Sequence, residues 1–266
     1  MSLYAVLLDT MSIQRYIFST NRLKENLGAS YLVEDIYEGV LEDVLKELFP
    51  DMEKDYLNHW RKEPEVMPSI DKDRPFEIGY IGGGNALLFF KEVEKAEAFL
   101  KKWTARLLVT APGITPASAI GRCNIKNAND PAVKDFIKNL FKSLAENKNR
   151  FIPQTIIPRH GITAECPHTG YSMEVWCEKL PKEEQKYISS VSSAKIEAAE
   201  RAKNKHLRIL KESGLDNKYT FTDELDKLGQ QRGEESHIAI VHIDGNDMNK
   251  RFKAMETLFD TRRLSK

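Results

Sequence analysis

Phe76-Glu77-Ile78-Gly79-Tyr80-Ile81-Gly82-Gly83-Gly84-Asn85-Ala86-Leu87-Leu88-Phe89-Phe90 is the stretch on which the fold turns. Two apolar, β-prone runs flank three glycines and an asparagine, residues that tolerate positive φ, so the segment reads as a β-hairpin. Upstream, Leu3 to Leu8 is continuously apolar and ends at Asp9-Thr10, the length and pattern of a strand buried on both faces. Ser12 is placed to cap a short helical turn carrying Ile13, Tyr16 and Ile17, and Ser19 to Gly28 reads as a polar loop. From Ala29 to Phe49, Leu32, Ile36, Val40, Leu41, Val44, Leu45 and Leu48 recur at spacings of three and four until Pro50, which predicts one helix. The charged stretch from Asp51 to Arg74 shows no sustained period and is assigned no element.

Downstream of the hairpin, Glu92 to Leu108 reads as a helix with Ala96, Phe99, Leu100, Trp103 and Leu107 on one face, and Ala117 to Ile125 as a fourth strand. Strand, helix, hairpin, helix, strand is the order of an α+β, ferredoxin-like βαββαβ unit, the core of palm domains. Residues 1–148 are therefore expected to form a first palm-like domain, with a helix from Ala132 to Leu144 packed on it. Residues 149–234 read as an irregular linker, Pro-punctuated between Arg150 and Gly170, followed by a helical connector from Ser193 to Leu210. Residues 235–266 open a second palm-like unit, because His237 to Ile243 followed by Asp244 repeats the apolar-strand-then-Asp pattern of the start. Residues 245–266 are too few for another hairpin and two more strands, so this second unit is expected to be truncated.

The 266 residues are 41% hydrophobic and 30% charged, with forty Lys plus Arg against forty Asp plus Glu, so no net field gathers a polyanion or holds the chain on a membrane surface. The opening MSLYAVLLDTMS has no basic region and no small-residue cleavage site, and no run reaches the roughly 18 apolar residues of a membrane span. Three cysteines are too few for a secreted disulfide framework. A cytoplasmic location is expected.

In a four-stranded sheet of spatial order 4-1-3-2, the end of strand one lies beside the turn joining strands two and three, so Asp9 and Gly82–Asn85 should be neighbours. Backbone amides of a glycine turn approach a phosphate closely, and a carboxylate at the adjacent strand end holds a divalent cation that neutralises it. Palms that transfer nucleotidyl groups need two or more carboxylates for two ions, and this turn offers Gly84 and Asn85 instead. The second strand end, Asp244-Gly245-Asn246-Asp247-Met248-Asn249-Lys250, is richer. Asp244 and Asp247 suit a cation and Lys250 a triphosphate, although Asp247 also suits a plain helix cap.

Asp9-Thr10-Met11-Ser12-Ile13-Gln14-Arg15-Tyr16-Ile17-Phe18, followed by Leu27-Gly28-Ala29-Ser30-Tyr31-Leu32-Val33, resembles the opening of a palm in the large subunit of type III CRISPR effector complexes, the cyclic oligoadenylate synthetase family. Ile81 to Leu88 resembles that family's degenerate first-palm hairpin, and Ile243 to Lys250 the Asp-Gly-Asp-Asn strand end of its second palm. The resemblance implies paired palms in an antiviral assembly, binding ATP with Mg²⁺ or Mn²⁺ and, in active members, joining ATP into cyclic oligonucleotides. It implies metal contacts at Asp244 and partners that are subunits of an RNA-guided complex or a second copy through the palms. The family's acidic Gly-Gly-Asp-Asp hairpin has no counterpart here, so an incomplete active site is expected, with a non-catalytic scaffold as the alternative.

Three further features carry expectations. His160, Cys166, His168 and Cys177 have zinc-capable side chains at a spacing that fits no standard signature, against a loop with a buried thiol. Lys195, Arg201, Lys203, Lys205, Arg208 and Lys211 form the densest basic stretch, against a solvated helix face. Tyr16, Phe18, Phe89 and Phe90 suit core packing more than base stacking, and Arg15 and Asn21 suit the mouth of the site.

Overall fold

A computed structural model describes residues 1–63, 67, 70, 72, 74–150, 161–222, 241 and 254–263. The expected strand from His237 to Ile243 lies outside the described residues apart from Val241, which is exposed.

The sheet is built from β1 (Ser2–Met11), β2 (Phe76–Gly82), β3 (Asn85–Phe90) and β4 (Thr115–Asn124). Their spatial order is β2-β3-β1-β4 with every neighbouring pair antiparallel, the order read from the sequence. As an inner strand, β1 buries both faces. Val6 and Leu8 enter one core with residues such as Leu32, Val44, Phe99 and Trp103, while Leu3, Ala5 and Leu7 enter a second core with Val133, Ile137, Leu140 and Leu144. Burial on both sides explains why β1 is apolar without alternation.

The first face is covered by α2 (Leu23–Asp35), α3 (Gly39–Leu48), α4 (Tyr56–Lys62) and α5 (Val93–Thr110), preceded by the short α1 (Ile13–Ile17). Three expectations are corrected here. The helix predicted from Ala29 to Phe49 is two helices, broken at Ile36–Glu38, and the indole N–H of Trp103 donates to the Ile36 carbonyl at 2.8 Å within the break. Apolar spacing continues across the break, so periodicity alone reads through it. The polar loop expected from Ser19 to Gly28 is helical from Leu23 onward, and its Glu25 is buried rather than facing water. Ser12 does not cap α1: it sits at φ 53° with no side-chain bond to the helix, and its carbonyl instead accepts from the Tyr16 amide at 3.0 Å. The excursion before β2 also contains α4, whose buried Trp60 donates to the Ile78 carbonyl at 3.0 Å.

The second face is covered by α6 (Ala132–Arg150) and, near the carboxy terminus, α8 (Leu258–Arg263). Arg262 of α8 is buried against Glu77 of β2, with Nε 2.7 Å from Oε1, and its Nη1 donates to the Met67 carbonyl at 2.7 Å. The other Glu77 oxygen accepts from the Ile70 amide at 2.8 Å, so this buried pair is bonded on both sides.

Beside α2, β5 (Val175–Trp176) and β6 (Tyr187–Ile188) form a small ribbon of their own, and α7 (Ser190–Glu212) runs along α2. Ser189 caps α7, its Oγ accepting from the Ser192 amide at 3.3 Å. The α2–α7 crossing is close because Gly28 stands there: a Cβ at that position would lie 1.8 Å from the Lys195 carbonyl oxygen. Polar groups are trapped in the same seam. Glu25 Oε1 is 2.6 Å from His168 Nδ1, Ser192 Oγ donates to Glu25 Oε2 at 3.0 Å, and Lys195 Nζ donates to the Tyr16 carbonyl at 2.5 Å and to Ser19 Oγ at 2.7 Å. Among the described residues no helix is long and apolar enough to cross a membrane.

Two tests follow from this seam. Gly28→Ala is expected to lower unfolding stability by about 2 kcal/mol or more, the size of an overpacking defect against backbone that cannot yield; an unchanged urea midpoint would show that the helices do not meet there. Burial pushes the Lys195 ammonium down to about 8, opposed by the Glu25 carboxylate. An unfolded lysine titrates near about 10.4, so the unfolded chain holds the extra proton between those values and stability rises with pH across that window. The wild type is therefore expected to gain stability relative to Lys195→Met from pH 8 to pH 10, and a pH-independent difference would contradict the burial of Lys195.

Candidate functional site

The turn Gly82–Asn85 joins β2 to β3, with Gly83 at φ 60° and Gly84 at φ 80°, a left-handed pair that only glycine adopts without strain. Asn85 stands directly opposite Asp9 in the β1–β3 register, and Ala117 flanks Asp9 on the β4 side. The Thr10 amide donates to the Gly84 carbonyl at 2.8 Å, which ties the end of β1 to the turn. Asp9 and the glycine turn are thus neighbours, as the strand order requires. The Asn85 side chain closes its own turn, Nδ2 donating to the Gly83 carbonyl at 3.1 Å.

Asp9 already has a cation. Lys148 Nζ lies 2.5 Å from Asp9 Oδ2, with the carboxylate side chain only 15% exposed and the lysine 33%. Sequence reasoning ended this helix at Leu144, one turn short, and so missed Lys148. The signal was present: Leu140, Leu144 and Lys148 continue one stripe at intervals of four. Behind Asp9, Thr10 Oγ1 and Tyr37 Oη are 2.8 Å apart. Burial, with the Asp9 carboxylate adding to it, pushes the phenols of Tyr37 and Tyr80 well above their usual range. Both stay neutral hydroxyls at any working pH.

A two-ion centre does not fit these residues. Among the described residues no group of three or more His, Cys, Asp or Glu side chains converges. Asp9 faces a neutral amide across the strand pair and carries an ammonium, where two divalent ions need several anionic oxygens. Asp244, Asp247 and Lys250 lie outside the described residues.

Of the other candidates, Tyr16, Phe89 and Phe90 are core residues, while Phe18, Arg15 and Asn21 are exposed. Cys166 and Cys177 are buried in one small cluster with Leu180, Ile188 and Ile196. Burial raises the Cys166 thiol, but hydrogen bonds from the Ser189 and His168 amides and the Thr169 and Ser189 hydroxyls bring it below its usual value. The His168 ring is committed to Glu25, and His160 lies outside the described residues. The basic stretch on α7 is divided: Lys195 is buried, Arg201 Nη1 is 3.5 Å from Asp35 Oδ2, and Lys205 Nζ is 2.5 Å from Glu34 Oε2. Those pairings favour a helix seam over a continuous polyanion track.

No family model matches the chain, and no curated protein matches it. Among solved structures, it aligns in part with the Csm1-Csm4 cassette in complex with pppApA, at 14% identity and a TM-score of 0.37. The same cassette in complex with cA3 and with cA4 aligns at 15% identity and the same TM-score. Each alignment covers 56% of this chain and 19% of the other, so the chain spans about a fifth of the length of the chains it matches.

The Asp9–Lys148 pair is open to a double-mutant cycle. Lys148→Met is expected to cost about 1 to 2 kcal/mol by leaving a mostly buried carboxylate unpaired, and Asp9→Asn in the same chain is expected to restore most of it. Additive losses within about 0.5 kcal/mol in urea unfolding would show that the two groups do not interact.

Proposed function

We propose that this chain is a nucleotide-binding protein built on a ferredoxin-like palm, related to the nucleotidyltransferases and cyclases that join ATP in CRISPR-type antiviral defence, with an incomplete active site in its first unit. The observation that carries the reading is the juxtaposition of Asp9, Lys148 and the left-handed Gly83-Gly84 turn at one end of the sheet. Gly82 and Gly83 are exposed and carry no side chain, which suits phosphate oxygens, while the Ile13 side chain packs against Gly84. Lys148 is the mobile charge of this arrangement: it neutralises Asp9 at rest and is within side-chain reach of an anion arriving at the same strand end. Mg²⁺ or Mn²⁺ comes to this reading through Asp244 and Asp247, with Lys250 on the triphosphate. Partners in the reading are subunits of an RNA-guided complex or a second copy of the chain, in the cytoplasm.

A second reading has its own support. Asp9 is held by a lysine and faces an asparagine, so this sheet end is neutralised without any metal. That favours a palm kept for assembly, a non-catalytic scaffold subunit.

Calorimetry with ATP and Mg²⁺ separates them. The wild type is expected to bind, with Asp244→Ala and Gly84→Ala each weakening affinity roughly tenfold or more, about 1.4 kcal/mol. Absence of heat with the wild type would reject the nucleotide reading in favour of the scaffold. Equal heats in wild type and both variants would remove the assigned roles of Asp244 and the turn.

A further inference from the structure

β4 is the end strand of the sheet, and along its outer edge the carboxy-terminal halves of α5 and α6 converge over Pro116–Ser118. They enclose a groove of about 660 Å³, within the range of small-molecule sites. Its floor is apolar, formed by Leu107, Ala111 and Ile114, all buried, with Leu108 exposed at one side. Two cations stand at it, Lys101 from α5 and Arg150 from the last turn of α6. Both are exposed, and neither forms an ion pair with another described residue.

Charge and geometry select the occupant. α5 ends at the groove, and its carboxy-terminal carbonyls bring roughly half a negative charge. Lys101 and Arg150 together exceed that by more than one positive charge, so the groove favours an anion. A peptide adding as a fifth strand is disfavoured, because Asn147 Nδ2 already donates to the Ser118 carbonyl at 2.8 Å and Pro116 has no amide to offer. We propose that this groove binds an amphipathic organic anion of about mononucleotide size, its apolar body on Leu107, Leu108 and Ala111 and its anionic group between Lys101 and Arg150. The site is separate from the turn at Gly82–Asn85 and stands whether or not that turn binds nucleotide.

Fluorescence titration of the whole chain with anilinonaphthalene sulfonate tests it, with circular dichroism checking that each variant is folded. One saturable site is expected. Lys101→Glu combined with Arg150→Glu is expected to weaken it about tenfold, while the uncharged probe phenylnaphthylamine binds both proteins alike. Ala105→Trp, which fills the groove from the exposed side of α5, is expected to abolish the site. Asp9→Asn and Gly84→Ala are expected to leave it unchanged, which keeps this outcome apart from that of the nucleotide reading. Equal affinity in the wild type, the charge-reversed protein and Ala105→Trp would overturn the proposal, as would several unsaturable sites.

Discussion

The register of β1 between its two neighbours is the constraint on which the rest of the molecule depends. Bonded along Ser2–Met11 to β4 and along Tyr4–Asp9 to β3, it sends side chains into both cores, as β2 and β3 also do. Side chains alternate with a period of two, so a slip of a single residue would exchange Leu3, Ala5 and Leu7 with Val6 and Leu8 and turn Asp9 to the opposite face. Pairing of Asp9 with Asn85 and of Thr10 with Gly84 therefore follows from burial deep in the sheet rather than from any attraction at its end. Packing energy positions the polar groups, and the polar groups then find one another.

The helical layers show a different economy of forces. Burial of Lys195, Glu77 and Arg262 is unfavourable for each group alone, and each is retained with hydrogen-bonding partners. What such pairs supply is uniqueness of placement. Apolar contact along α2 and α7 tolerates sliding, whereas Lys195 bonded to both Tyr16 and Ser19 admits one register. Arg262 does the same for α8 on β2. The Gly28 crossing adds a steric stop to the electrostatic one, since only a residue without Cβ lets the α7 backbone come so near.

The strands, their order and the neighbourhood of Asp9 were legible in the amino-acid sequence because each rests on a local pattern: a continuous apolar run, a glycine turn, and the strand, helix, hairpin, helix, strand succession of a βαββαβ unit. The break at Ile36–Glu38 was not, because its carbonyl partner Trp103 comes from a helix 67 residues away and the apolar spacing is undisturbed. The early start of α2 was hidden for a related reason. Polarity at Lys24, Glu25 and Asn26 reads as solvent exposure, yet Glu25 is polar in order to meet His168 and Ser192. Lys148 was missed because a lysine at a helix end is read as solvated, and only the continuation of the Leu140–Leu144 stripe marks it as inward.

Lys148 also bears on what this sheet end is for. A carboxylate at the end of an inner strand needs positive charge once it is largely removed from water, and either a divalent ion or a lysine supplies it. The lysine is part of the chain and is delivered by α6 whenever that helix packs on the second core through Leu140 and Leu144. A metal ion has to displace it and then hold on with one carboxylate and a neutral amide, against an ammonium at effectively very high local concentration. Asn85 across the strand pair makes that competition harder still, since its neutral amide adds no charge to the ion's side. An arriving phosphate meets the opposite balance: it is repelled by Asp9 but attracted by Lys148 and by the turn amides. At this end of the sheet, Lys148 leaves Asp9 little capacity to hold a cation.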